Sequence, residues 1–194
     1  MRTGLCTRST NETDISVAIH LESRKPSKIS TGIGFFDHMM ELFAFRAGLS
    51  LTVECKGDLH VDGHHTVEDV GICLGRALGE ALGSKAGIKR YGVAHLPMDE
   101  ALVQCVLDIS GRGLLVFNAE MPAQTVGGFD TELVEEFFRA FAHNAGITLH
   151  INLTYGRNTH HIIEGIFKAF GCAIAQAVEK TGLSEASSTK GVLQ

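Results

Sequence analysis

Tryptophan is absent from this chain of 194 residues, and proline occurs only three times. So few chain breakers leave room for continuous helices and strands with few extended linkers. No stretch approaches the roughly 18 uninterrupted apolar residues of a membrane span, so none is expected. The opening segment, MRTGLCTRSTNETDIS, lacks an apolar core of the secretory type, and no export signal is expected. There is no basic run, and the formal net charge is −5, which argues against nucleic acid as a partner. The five cysteines, Cys6, Cys55, Cys73, Cys105 and Cys172, are scattered, odd in number and without paired spacing. That argues against a disulfide framework and fits buried thiols in a reducing cytoplasm.

What is abundant is histidine, ten in a mildly acidic chain, and apolar residues, at 44% enough for a substantial core. His64-His65-x-x-Glu68 recurs as His160-His161-x-x-Glu164, an offset of 96 residues. Exposed polar helix faces would explain one such motif; two at equivalent positions point to metal. On a helix, residues three or four apart share a face and adjacent residues diverge by about 100°. His65 and Glu68 can therefore grip one ion, and His161 and Glu164 another. His64 and His160 then turn elsewhere, most simply to the opposite repeat's ion. Histidine and carboxylate donors without cysteine suit catalytic zinc, manganese or iron better than a closed structural zinc site.

Periodicity and stop signals give the frame. Residues 3–10 and 14–21 alternate around Asn11-Glu12 and read as a hairpin. Helices are expected over 34–47, 64–82, 133–145 and 159–180, with Gly48 and Gly146 as stops for the first and third. Strands are expected over 49–55, 101–110, 114–120 and 147–155, and the second half begins near Tyr91. The polar tail after Gly182 reads as mobile in the absence of a ligand. Setting Gly48 on Gly146 aligns the halves element by element and puts His38 opposite Glu136. His38 alone would read as a core histidine; that position makes it and Glu136 candidate ligands. The expected fold is α/β, an α+β two-layer sandwich made twice, residues 1–91 and 92–194, each sheet covered on one face by two helices. His143 and His150 have no counterpart in the first half and read as structural or surface, while His20, His60 and His95 have no supporting pattern. Arg90, Arg112, Lys168 and the tail Ser187-Ser188-Thr189-Lys190-Gly191 are chemically suited to a phosphate, although spacing does not show that they converge.

The segments RSTNETDI, GIGFFDHM, LHVDGHHTVEDVGI, PMDEAL, NTHHIIEGIFKAFG and SSTKG resemble imidazoleglycerol-phosphate dehydratases of histidine biosynthesis. The resemblance covers nearly the whole chain. It implies a duplicated unit similar to the second domain of ribosomal protein S5, a cytoplasmic homo-oligomer of 24 subunits, and two manganese ions per active site between subunits. It assigns one ion to His38, His64, His161 and Glu164, and the other to His65, Glu68, His160 and the position of Glu136, where many relatives carry histidine. It further implies that Arg90, Arg112, Lys168, Ser188, Thr189 and Lys190 hold the substrate's phosphate end, that His38 lies against substrate, and that Glu12 transfers protons. Asp99 and Glu100 fall near the site without an assigned role. The implied reaction is loss of water from D-erythro-imidazole glycerol phosphate, a small phosphorylated imidazole, giving imidazole acetol phosphate. Two further readings stay open on the residues alone: a dinuclear metallohydrolase acting on a phosphoester, and a metal-storage shell without turnover.

Overall fold

The computed structural model describes residues 1–183 together with Glu185, Ser187 and Ser188. The first half runs β1 (Thr3–Ser9), β2 (Thr13–His20), β3 (Lys28–Ser30), α1 (Gly34–Ala47), β4 (Ser50–Gly57) and α2 (His64–Leu82). The second runs β5 (Tyr91–Met98), β6 (Ala101–Asp108), β7 (Leu114–Asn118), the short pair β8 (Thr125–Val126) and β9 (Phe129–Asp130), α3 (Leu133–Ala145), β10 (Thr148–Tyr155) and α4 (Thr159–Ala177). The sheets are ordered β1-β2-β4-β3 and β5-β6-β10-β7, the same order twice. In each, one edge strand is parallel to its neighbour, β3 to β4 and β7 to β10, and the other pairings are antiparallel. Alternation buries one face: Ile15, Val17 and Ile19 of β2, and Val103, Cys105 and Leu107 of β6.

That buried face is covered by helices. In the first half α2 lies on β1, β2 and β4, and α1 lies against β3 and β4. In the second, α4 lies on β5 and β6, and α3 against β7. The two helix layers then face each other, with α1 packed on α4 and α2 on α3, around one continuous core. Phenylalanines fill the seam: Phe43 stacks on Phe170 at 4.9 Å, Phe36 meets Phe137 edge-on at 5.3 Å, and Phe138 meets Phe170 at 5.1 Å. Among the described residues no helix is long and apolar enough to cross a membrane.

The duplication extends to backbone contacts. A Cβ at Gly75 of α2 would lie 2.7 Å from Phe141 O and 2.9 Å from Ala145 N of α3. A Cβ at Gly171 of α4 would lie 2.7 Å from Phe43 O and 3.1 Å from Ala47 N of α1, the equivalent atoms. Alanine at either glycine would gain about 0.5–1 kcal/mol of helix preference but would push two packed backbones apart, at about 1–3 kcal/mol. Gly75→Ala and Gly171→Ala are therefore each expected to lower the melting temperature in a thermal scan. A rise in either variant would show that the seam has slack.

The expected helices 34–47, 64–82 and 133–145 match α1, α2 and α3. Both glycine stops adopt the left-handed conformation, φ 66° at Gly48 and 64° at Gly146. The fourth helix ends at Ala177, earlier than the 180 expected. Carbonyls at its end turn to the segment joining the halves: Arg90 N donates to Ala177 O and Lys89 N to Glu179 O, both at 2.9 Å. Strand bounds shift by one to two residues at several ends. Three strand features were not expected: the three-residue β3, the edge strand β5, and the β8–β9 pair. In β5 burial alternates, but Gly92 and Pro97 are weak strand formers that an edge position tolerates.

Candidate functional site

Each histidine pair sits in the first turn of its helix, His64-His65 on α2 and His160-His161 on α4. Polar side chains bind the free backbone N–H groups there. Asp62 Oδ1 accepts from His64 N at 2.8 Å, and Asn158 Oδ1 accepts from His161 N at 3.3 Å. The second histidine of each pair is gripped by a carboxylate from outside its helix. His65 Nδ1 lies 3.0 Å from Asp58 Oδ2, and His161 Nδ1 lies 2.7 Å from Glu100 Oε2. A second acid faces each other ring nitrogen, Glu12 at 3.7 Å from His65 Nε2 and Asp99 at 3.6 Å from His161 Nε2. The hydrogen bond to Asp58 raises the His65 pKa, against the effect of burial and with help from the Glu12 charge. The bond to Glu100 raises that of His161 in the same way. Glu100, bonded to His161 and to the backbone N–H groups of Asn158 and Arg157, is held down to about 2.

Within the chain the glutamates pair differently from the helix-spacing expectation. Glu68 Oε2 is 4.0 Å from His64 Nε2, and Glu164 Oε2 is 3.2 Å from His160 Nε2. Both contacts are i,i+4, not i,i+3. Helical side chains lean back over the preceding turn, and His65 and His161 are drawn aside by Asp58 and Glu100. Glu164 also accepts from Lys168 Nζ, as the shared helix face predicts. Burial pushes the Glu164 carboxyl up, but Lys168 and His160 outweigh it and the net shift is downward. Among the described residues no group of three or more such donors lies close enough to hold an ion.

The remaining expected residues are placed as follows. Glu12 sits in the β1–β2 turn, and that turn is anchored from α2. Thr13 Oγ1 donates to the buried Asp69 at 2.6 Å, Arg8 Nε donates to the same carboxylate at 2.8 Å, and Thr10 Oγ1 accepts from Glu12 N at 3.1 Å. His38 is half exposed, with Glu41 3.9 Å away, and its neighbour Phe35 meets His160 edge-on at 5.3 Å. Glu136 faces Arg139 Nε at 3.6 Å. Arg90 is largely committed: its guanidinium bonds both Asp108 oxygens, at 2.6 and 3.0 Å, and Ser187 O at 2.7 Å. Arg112 lies exposed between β6 and β7, and Lys168 Nζ rests 3.5 Å from Met98 Sδ. No contact joins these three cations among the described residues. Ser188 is half-buried; Thr189 and Lys190 lie outside the described residues. Asp58 was missed from the sequence, and its one signal was an acid in the short loop before the first histidine pair.

Comparison with known proteins identifies the family. Residues 31–174 match the family described as IGPD, imidazoleglycerol-phosphate dehydratase. The dehydratase of Acetivibrio thermocellus is 57% identical over 96% of this chain and 96% of its own, and that of Listeria monocytogenes is 54% identical over the whole of both. The crystal structure of the Staphylococcus aureus enzyme superposes with a TM-score of 0.84 at 47% identity, covering 92% of this chain and 99% of that one. The Pyrococcus furiosus structure gives 0.85 at 38% identity, covering 97% and 100%. Sequence and fold thus agree along nearly the whole length, and the chain belongs to the imidazoleglycerol-phosphate dehydratase family.

Proposed function

We propose that this chain removes water from D-erythro-imidazole glycerol phosphate to give imidazole acetol phosphate, using two manganese ions per active site. The observation that carries the reading is the twofold arrangement of histidine pairs, each at a helix start with its second ring held at Nδ1 by a carboxylate. Metal-binding histidines are characteristically held this way. The surroundings also suit a divalent cation. Glu12, Asp58, Asp62 and Glu68 gather around one pair, and Asp99, Glu100 and Glu164 around the other, with Lys168 the cation in contact. Asp58 Oδ1 is buried there without a hydrogen-bond partner among the described residues.

One ion would be held by His38, His64, His161 and Glu164, the other by His65, Glu68, His160 and Glu136. The packing supports this division, because α1 with His38 lies beside α4, and α3 with Glu136 lies beside α2. The fourth ligand of each set comes from the other helix pair and is read as belonging to another subunit of a homo-oligomer. Half-exposure of His38, His64, Glu68 and His160 supports a shared site. So do the exposed apolar residues Leu59 and Val61 before α2 and Tyr155 before α4. The family's 24-subunit form is the assembly proposed. The four buried thiols, Cys6, Cys55, Cys73 and Cys105, suit a cytoplasmic setting.

Bound manganese would supply Lewis acidity and a template for the substrate ring. Glu12, carried on its anchored turn beside His65, would take the proton from carbon and deliver one to the departing hydroxyl. Lys168 and Arg112 would hold the phosphate, together with Ser188, Thr189 and Lys190. Arg90 would contribute through the tail it binds at Ser187. The test is turnover of imidazole glycerol phosphate before chelation, after it, and after manganese is restored. Activity should vanish and return, and the melting temperature should fall and recover, since ions bound only by the native assembly stabilise it by mass action. Full turnover after complete metal removal would refute the reading.

A further inference from the structure

The two carboxylates that hold His65 and His161 come from unrelated places in the fold. Asp58 follows β4 in the first half. The equivalent position in the second half, found by setting Gly48 on Gly146, is Gly156. Glu100 lies in the β5–β6 turn. The corresponding β1–β2 turn carries Glu12, which faces the other nitrogen of its ring, Nε2. Duplication would have copied one residue into both halves. Instead each half meets the same ring atom, Nδ1, with an acid from a different element. Repetition of a contact without repetition of its source points to a requirement at the ring itself.

Chemistry identifies that requirement. An ionised carboxylate only accepts hydrogen bonds, so Nδ1 beside it carries the proton. In a neutral ring Nε2 then presents its lone pair. We infer that Asp58 and Glu100 are positioning residues that fix the tautomer and rotation of His65 and His161, so that Nε2 of each faces a divalent cation. The inference rests on the proposed reading of both histidines as metal ligands. Neither acid is itself a ligand in it. Their other bonds make them rigid supports. Asp58 N donates to Glu12 O at 3.1 Å, tying the first ring to the turn that carries Glu12. Glu100 Oε1 accepts from Arg157 N at 3.1 Å and Asn158 N at 2.7 Å, tying the second ring to the entry of α4.

The test titrates chelated, full-length protein with Mn2+ and follows free metal by electron paramagnetic resonance. Asp58→Ala and Glu100→Ala should each weaken binding at one class of site by about 10–100-fold, the usual cost of losing such a support. Asp58→Asn and Glu100→Gln should recover part of it, because an amide oxygen still accepts from Nδ1. Circular dichroism checks folding. Should Glu100→Ala fail to fold for want of its bonds to α4, Asp58→Ala carries the test alone, since among the described residues its carboxylate bonds only His65. Mn2+ binding unchanged in the alanine variants overturns the inference. His65→Ala and His161→Ala separate the two levels. If they lose metal while the acid variants keep it, the positioning role fails and the metal reading stands. If they too bind as the unsubstituted chain does, both fall.

Discussion

Glu12→Gln should lower kcat by about 10²–10⁴-fold, the usual worth of a positioned acid–base group, while leaving bound manganese and affinity for a phosphate-bearing inhibitor unchanged. The side chain is half exposed, and among the described residues its carboxylate serves no structural bond beyond the approach to His65 at 3.7 Å. The turn beneath it is held by other groups, Thr13 to Asp69 at 2.6 Å and Thr10 to Glu12 N at 3.1 Å, none of which involves that carboxylate. Glutamine keeps the size and hydrogen-bonding capacity and cannot accept the proton. Steady-state kinetics with elemental analysis of the same preparation decide the matter. Normal turnover, or loss of manganese, would remove Glu12 from proton transfer.

Glu68→Ala and Glu164→Ala should each abolish most turnover by weakening a different ion, so elemental analysis should find about one ion lost per site in each. Their effects on stability should differ. Glu68 is half exposed and its nearest histidine is 4.0 Å away. Glu164 is 10% exposed and in contact with Lys168, itself 13% exposed. Removing Glu164 leaves a largely buried ammonium without its acid, a loss of about 3–5 kcal/mol. Glu164→Gln, which keeps an acceptor for Lys168, separates the two consequences: it should regain stability but not manganese. Two ions retained at full occupancy in both alanine variants would contradict the assignment.

All four helices were legible, the fourth except for its end point, because several local signals agree. Apolar periodicity, the Gly48 and Gly146 stops and the repeated histidine pairs all mark the same boundaries. The duplication was legible because chemistry-bearing residues recur at fixed offsets. The three-residue β3 was not, because so short a segment takes its conformation from β4 beside it. The spacing of His64, His65 and Glu68 allows both i,i+3 and i,i+4 contacts, and local pattern does not choose between them. The choice is made by Asp58 and, in the other half, by Glu100, which is 61 residues from His161 in the chain. Partners at such separation become visible only when the sheet brings its β5–β6 turn over the start of α4. The same holds for Arg90, whose pairing with Asp108 depends on the register that sets Tyr91 opposite Asp108.

The seam in which α1 lies on α4 and α2 on α3 is, in physical terms, an obligate dimer interface closed inside one chain. Neither helix layer could face water alone, since Phe36, Phe43, Phe137, Phe138, Phe167 and Phe170 are all fully buried in it. The connection through residues 83–90 makes their encounter unimolecular, so their pairing is set by an effective concentration and not by the amount of protein in solution. The two histidine-bearing helices therefore keep their mutual placement at any dilution. Each chain thus carries its two histidine-bearing helices in fixed register, with or without a larger assembly.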